Sequence, residues 1–215
     1  MPESPEELYA RIVAQVGEAG RLPMPPVQEW DMFPWEVVDG QLVPKVLRPP
    51  VGAEEPRYGE TPDKPCSSCA GERLSTAIWE NDRWYVASFP EPRGMPLILM
   101  LQAQEHLDFP DMDDEMAAEY GVLSARLCRI MSHLPHIGRV HVCRWGDGGS
   151  HLHVWFIARP ARLPGVIGSL AVEWDEILPP PPEDVWRADL ADVARRLANH
   201  DGRALVSVSG PGRPT

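Results

Sequence analysis

The stretch Gly146-Asp147-Gly148-Gly149-Ser150-His151-Leu152-His153-Val154-Trp155-Phe156-Ile157-Ala158 limits more than any other what this chain can fold into. Its glycines let the backbone turn tightly, and the β-branched and aromatic residues after them suit a strand. The pattern predicts a strand over residues 151–158, entered through a glycine-rich loop at 145–150. Side chains two apart on a strand share a face, which places His151, His153 and Trp155 together and Leu152, Val154 and Phe156 on the other side. The apolar side needs a covering layer. Packing alone has little use for two histidines at that spacing, so they form a candidate site, one imidazole suited to a metal and the other to nucleophilic attack on phosphorus.

The rest of the chain supplies layers for such a strand. Residues 77–80, 84–89, 97–101 and 139–144 read as further strands, with Asn81-Asp82 a turn between the first two. Asp111-Met112-Asp113-Asp114-Glu115 opens a helix whose stripe is Met116, Tyr120, Leu123, Leu127, Ile130 and Leu134, the spacing of a helix packed on a sheet. A short amphipathic helix is expected over 4–18, with Leu8, Ile12, Val13 and Val16 on one stripe. Prolines crowd residues 21–65, which reads either as an extended wrap or as a partly disordered linker; Trp30, Phe33 and Trp35 favour docking, and Asp39-Gly40 marks a hairpin. Pro179-Pro180-Pro181-Pro182 is a rigid spacer before a helix carrying Trp186, Leu190, Val193 and Leu197, and residues 204–208 suit a last strand. The class is α+β, a mostly antiparallel sheet with helices on one face. Its organisation is an N-terminal helix and proline-rich wrap (1–65), a core (66–160) and a C-terminal extension with its helix (161–215).

The 43% of hydrophobic residues suffices for a core, and a net charge of −12 with pI near 5.0 argues against nucleic acid and anionic membrane as main partners, while a local basic pocket for a nucleotide or sugar phosphate stays compatible. No apolar run has the length of a transmembrane helix, and the acidic start Met1-Pro2-Glu3-Ser4-Pro5-Glu6-Glu7 lacks the regions of a signal peptide. A soluble, cytoplasmic protein is the expectation.

Four cysteines in so long a chain do not make a disulfide scaffold; Cys66-Ser67-Ser68-Cys69 reads as a metal knuckle or a redox pair. One turn of Cys-x-x-Cys presents two thiolates to one ion. His106, just past the strand at 97–101, and His151 would complete a Cys2His2 zinc site joining three segments. The alternative is a pair without metal. A redox role fits less well, because no thioredoxin-like βαβ pattern surrounds the cysteines.

In this order the features resemble the histidine triad superfamily: Cys-x-x-Cys, a strand pair, the apolar strand Pro96-Leu97-Ile98-Leu99-Met100-Leu101 leading to His106, a long helix, and a strand with His151-Leu152-His153. The similarity spans roughly residues 66–160, under half of the chain. Two branches compete, zinc-bearing nucleotide hydrolases and galactose-1-phosphate uridylyltransferase-like proteins. The resemblance implies structural zinc on Cys66, Cys69, His106 and His151, and a nucleophile at His153 that forms a covalent nucleotidyl-histidine with the α-phosphorus of a nucleotide or nucleoside-sugar phosphate. Water or a sugar phosphate then resolves it. A homodimer is also implied by the resemblance alone. For a nucleophile, one imidazole nitrogen must be free, so the other should donate to a backbone carbonyl. Backbone N–H groups of the Gly146–Ser150 loop, Gly149 and Ser150 among them, and the guanidinium groups of Arg144 and Arg93 are candidate phosphate partners.

The chain departs from that family on the substrate side. The third motif position, histidine or glutamine in the two branches, is Trp155, whose indole donates one hydrogen bond but is neither acid nor base. Gly148 stands where relatives carry a serine, and Glu91 is a weak substitute for their ribose-binding carboxylate. Three functions follow: a zinc-containing nucleotidyl transferase or hydrolase, a weakened relative that binds a nucleotide or serves a structural role, and, less favoured, a specialised pathway enzyme using the two histidines on a substrate with no nucleotide. Plainer expectations hold elsewhere: His133, His136 and His141 as surface or capping groups, Cys128 and Cys143 as buried and inert, and Trp79, Trp84, Trp174 and Trp186 as packing.

Overall fold

The computed structural model describes residues 2–24, 33–71 and 76–207; Trp30, Pro25, Pro26 and Val208 lie outside them. Eight strands and three α-helices alternate as α1 (Pro5–Ala14), β1 (Trp35–Val38), β2 (Gln41–Pro44), β3 (Ala77–Glu80), β4 (Trp84–Ser88), β5 (Leu97–Ala103), α2 (Asp114–Met131), β6 (Ile137–Cys143), β7 (His153–Pro160), α3 (Glu183–Ala198) and β8 (Arg203–Ala204). Six strands form one antiparallel sheet in the order β6-β7-β5-β4-β3-β8, and β1 and β2 form a separate hairpin. That hairpin turns at Asp39 (φ 50°) and Gly40 (φ 77°), the two consecutive positive φ values of the expected tight turn. Local signals set the helix ends: Ser4 and Glu7 make a reciprocal capping box for α1, and the Asp113 carboxylate accepts from the Met116 N–H at the start of α2.

The register between β5 and β7 divides the sheet chemically. Leu97, Leu99 and Leu101 face Ala158, Phe156 and Val154 on one side, all at most 1% exposed. Leu123 and Leu127 of α2 and Trp186, Leu190 and Val193 of α3 cover them, so the two long helices share one face. Each such large apolar side chain contributes roughly 1.5–3 kcal/mol on burial. The other face carries the pairs Ile98–Ile157, Met100–Trp155 and Gln102–His153. Leu8 and Ile12 of α1, with Val166, Ala171 and Leu178, cover the first pair, and Trp155 packs against the edge of that cluster. The short helix therefore sits opposite the long ones, and the rest of this face is left to a cleft. Among the described residues, no helix is long and apolar enough to cross a membrane.

The histidine strand begins two residues later than the alternation suggests. β7 starts at His153, and His151 lies in the loop before it. The Leu152 N–H is drawn to the Leu107 carbonyl at 2.7 Å, beyond the end of β5, so the backbone leaves the ladder there. His151 and His153 consequently occupy different surroundings rather than one continuous strand face.

Candidate metal centre and adjoining cleft

Three segments meet at one corner of the sheet. The turn at Cys66–Cys69 closes with the Ala70 N–H on the Cys66 carbonyl at 3.0 Å. His106 follows β5, and His151 precedes β7. Cys66, Cys69, His106 and His151 each offer one ligand atom, and these atoms lie within 4.8 Å of one another, close enough to bind one metal ion. The Cys66 and Cys69 sulfurs stand 3.5 and 3.6 Å from His151 Nδ1, and Cys69 Sγ stands 3.3 Å from His106 Nδ1. A tetrahedral zinc with Zn–S about 2.3 Å and Zn–N about 2.0–2.1 Å separates sulfur from nitrogen by about 3.6 Å. The donor set and the spacing both fit.

The ring nitrogens turned away from this cluster decide what the others can do. His151 Nε2 lies 2.8 Å from the Ala103 carbonyl, which can only accept, so Nε2 carries the proton and Nδ1 presents its lone pair to the cysteines. For His106 the relay is longer. The Ser150 hydroxyl donates to the Tyr58 carbonyl at 3.2 Å, and its oxygen, 3.4 Å from His106 Nε2, is left to accept from that nitrogen. His106 Nδ1 is then also free to ligate. Ser150, expected on the substrate side, thus belongs to the metal side. Sequence reasoning missed Tyr58 and Gly59 altogether. Tyr58 runs beside the glycine loop, its N–H on the Gly148 carbonyl and its carbonyl taking the Ser150 N–H, each at 3.0 Å. Gly59 has φ +94°, and a Cβ there would lie 2.7 Å from both His106 Cε1 and Ser150 Oγ. The only available signal was a glycine inside the proline-rich stretch.

Next to this corner opens a cleft of about 580 Å³, lined by Tyr58, Phe89, Met100, Gln102, His153 and Trp155 among others. His153 Nδ1 is 2.7 Å from the His151 carbonyl. By the same reasoning Nδ1 donates, and the neutral ring keeps an unprotonated Nε2 on its far side. Trp155 lines the cleft instead of continuing the histidine pattern, its ring 5.8 Å from Phe89, 6.0 Å from Trp145 and 6.3 Å from His153. These separations are those of interacting aromatic rings. Gly149 is in the wall.

The arginines are engaged elsewhere. Arg144 pairs with Asp108 at 2.6 Å and lies over the Phe109 ring, outside the cleft lining. Arg93 binds Asp175 at 2.6 Å and also Glu176, and it stacks on Phe89. Glu91 is exposed and not part of the lining. Among the described residues no lysine, arginine, aspartate or glutamate lines the cleft. Asp108 also binds Arg57 at 2.8 Å, and Arg57 reaches the Gly146 carbonyl at 2.9 Å, so one carboxylate steadies the glycine loop from two sides. Burial pushes the Asp108 carboxyl up, but the Phe109 N–H and the Arg144 and Arg57 guanidiniums together hold it below the usual carboxylate range. Burial pushes the Cys128 and Cys143 thiols up, which makes both poor nucleophiles. His136 is neither surface nor cap: it is 1% exposed, with Nε2 3.1 Å from Asp189 of α3. His133 is exposed, whereas His141 has a buried Nε2 without a hydrogen-bond partner among the described residues.

No family model and no curated protein matches the chain. Among solved structures, it resembles those of histidine triad proteins. One from Bradyrhizobium japonicum is 17% identical, with a TM-score of 0.45 over 61% of this chain and 96% of that one. A zinc-bound histidine triad family protein from Mycobacterium smegmatis is 17% identical, with a TM-score of 0.43 over 61% of this chain and 92% of the other. A hypothetical histidine triad nucleotide-binding protein from Sulfolobus tokodaii is 12% identical, with a TM-score of 0.43, and covers 62% and 93%.

Proposed function

We propose that this protein is a nucleotidyl transferase or hydrolase with a structural zinc, acting at a nucleotide α-phosphate through His153. The observation that supports this best is the 2.7 Å contact from His153 Nδ1 to the His151 carbonyl, which keeps Nε2 unprotonated beside an open cleft. Zinc on Cys66, Cys69, His106 and His151 would tie three segments together and fix the backbone that carries this carbonyl.

The reaction follows from the tautomer. The Nε2 lone pair of His153 forms a bond to phosphorus while the bond from phosphorus to its leaving group breaks. The leaving group departs with that electron pair and takes a proton from water. The ring, now carrying phosphorus on Nε2 and hydrogen on Nδ1, is cationic, and the His151 carbonyl stabilises it through the bond already in place. Water or a sugar hydroxyl or phosphate oxygen then attacks phosphorus, the N–P electron pair returns to Nε2, and any proton on the attacking group passes to solvent.

Incubation of the zinc-loaded chain with nucleoside 5′-phosphoramidates, nucleotide sugars and dinucleoside polyphosphates tests this reading by mass spectrometry at neutral or basic pH, because phosphoramidates are acid-labile. A nucleotidyl adduct on His153, lost in His153→Ala, is the expected result. Absence of adduct and turnover with every class refutes it. The lack of a charged side chain among the described lining residues favours one second reading, a nucleotide-binding protein with weak turnover, and nucleotide affinity without adduct would mark that case.

A further inference from the structure

A group attacking phosphorus needs a partner for the phosphoryl oxygens, where negative charge grows. The cleft offers no cation among the described residues, so the candidate partner among them is a neutral donor. Gln102 stands directly opposite His153 in the β5–β7 ladder, on the same face. Facing side chains in such a pair have Cβ atoms about 4.5–5.5 Å apart. The residue is 8% exposed and belongs to the cleft lining, and its orientation is set from behind. Its Oε1 accepts from the hydroxyl of Tyr85, itself 1% exposed, at 2.8 Å and from Ser68 Oγ at 3.1 Å. With both contacts on the carbonyl, the amide nitrogen is turned away from them, and it makes no hydrogen bond among the described residues.

We infer that Gln102 is a substrate-contacting residue, its amide N–H2 donating to a phosphoryl oxygen of the group that His153 attacks. The inference rests on the reading of His153 as nucleophile. It also gives Ser68 a role beside the metal turn: the turn that carries Cys66 and Cys69 supplies one of the two hydroxyls that hold the amide. Metal corner and phosphoryl donor are thereby mechanically linked. The ligand class that suits a neutral donor is a single phosphoryl group attached to a nucleoside, without a long polyphosphate tail to neutralise.

The test compares labelling rates with a nucleoside 5′-phosphorimidazolide in the zinc-loaded wild type and in His153→Ala, Gln102→Met and Gln102→Glu. Both Gln102 variants lose the donor, and the methionine adds no charge. Gln102→Met should label His153 on the order of 10²-fold more slowly, as expected for loss of one positioned donor. Carbethoxylation of His153 by diethyl pyrocarbonate, a reagent without phosphoryl oxygens, should change less than twofold in the same variant. A merely structural role would slow both reactions together. Tyr85→Phe, which leaves one of the two anchors, should slow phosphoryl labelling about tenfold. Labelling of Gln102→Met within twofold of wild type overturns the inference while leaving His153 in place, as does equal slowing of both reactions. An amide flipped to present its carbonyl would give the former result. Failure of the wild type to label at His153 overturns the underlying reading and the inference with it.

Discussion

The metal corner and the cleft hold the same side-chain type two residues apart, and they use it in opposite ways. His151 is 5% exposed and has both ring nitrogens committed, Nε2 to the Ala103 carbonyl and Nδ1 to the cysteine side. His153 has one nitrogen committed, to the His151 carbonyl, and one left over. The difference comes from the backbone, which leaves the ladder at Leu152 and sends the two rings into separate environments. What a histidine does is set by the partner of its second nitrogen. The corner joins three segments and is built for rigidity, whereas the cleft is open and, among the described residues, uncharged and aromatic.

That contrast predicts a separation of stability from reactivity. Removing the metal, by chelation or by Cys66→Ser with Cys69→Ser, should have the largest effect. Thermal unfolding should lose several kcal/mol, in the direction of known structural zinc sites. His153→Ala should abolish adduct formation yet change stability by less than about 0.5 kcal/mol, the usual limit for substitutions outside packed or buried features. Similar losses from both changes in both assays would collapse the distinction.

Gly59→Ala sharpens the metal side. The new Cβ would press on His106 and Ser150 at a backbone φ of +94°, so metal affinity should fall roughly 10–100-fold, as for other disturbed ligand supports. Competition with a chromogenic chelator measures this. Asp189→Ala serves as a control away from both regions. It leaves buried His136 without its partner and should cost about 1–3 kcal/mol in denaturant unfolding, with labelling of His153 unchanged.

The smallest expected effect concerns acid. The folded Asp108 carboxyl titrates below its unfolded range of about 3.9. Its contribution is therefore present above that range and lost as pH falls through the lower folded value. Asp108→Asn should flatten the acid limb of the stability curve by about 1 kcal/mol or less, given the partly exposed pairs. An unchanged acid limb would show that the Arg57 and Arg144 contacts contribute nothing to stability.

Much of this was legible in the sequence because it is local. The apolar run at 97–101, the alternation at 151–158, the helical stripe from Met116 to Leu134 and the turn at Asp39-Gly40 reappear as β5, β7 (from His153), α2 and the β1–β2 hairpin. The grouping of four residues close enough to bind a metal was legible too, since Cys-x-x-Cys and the two histidines are residue types that zinc takes. What escaped depends on long-range placement. Nothing in the local pattern says that Leu152 bonds to Leu107, so His151 was expected on the strand. Arg144 and Arg93 were expected at phosphate because their partners, Asp108 and Asp175, lie 36 and 82 residues away in the chain. His136 was taken for a surface group because Asp189, on the far helix, is invisible from its own segment. Gln102 lies one residue past the strand expected at 97–101, and only the register places it opposite His153.

Imidazole nitrogen NMR on the uniformly ¹⁵N-labelled, zinc-loaded chain tests the contrast most directly, because it reads the protonation of each ring nitrogen. The geometry predicts His106 and His151 bound through Nδ1 with protons on Nε2. It predicts that the neutral ring of His153 carries its proton on Nδ1, with Nε2 unprotonated. A proton on Nε2 of His153, or a metal-bound His153 beside a free His151, would contradict the division of labour between the two histidines.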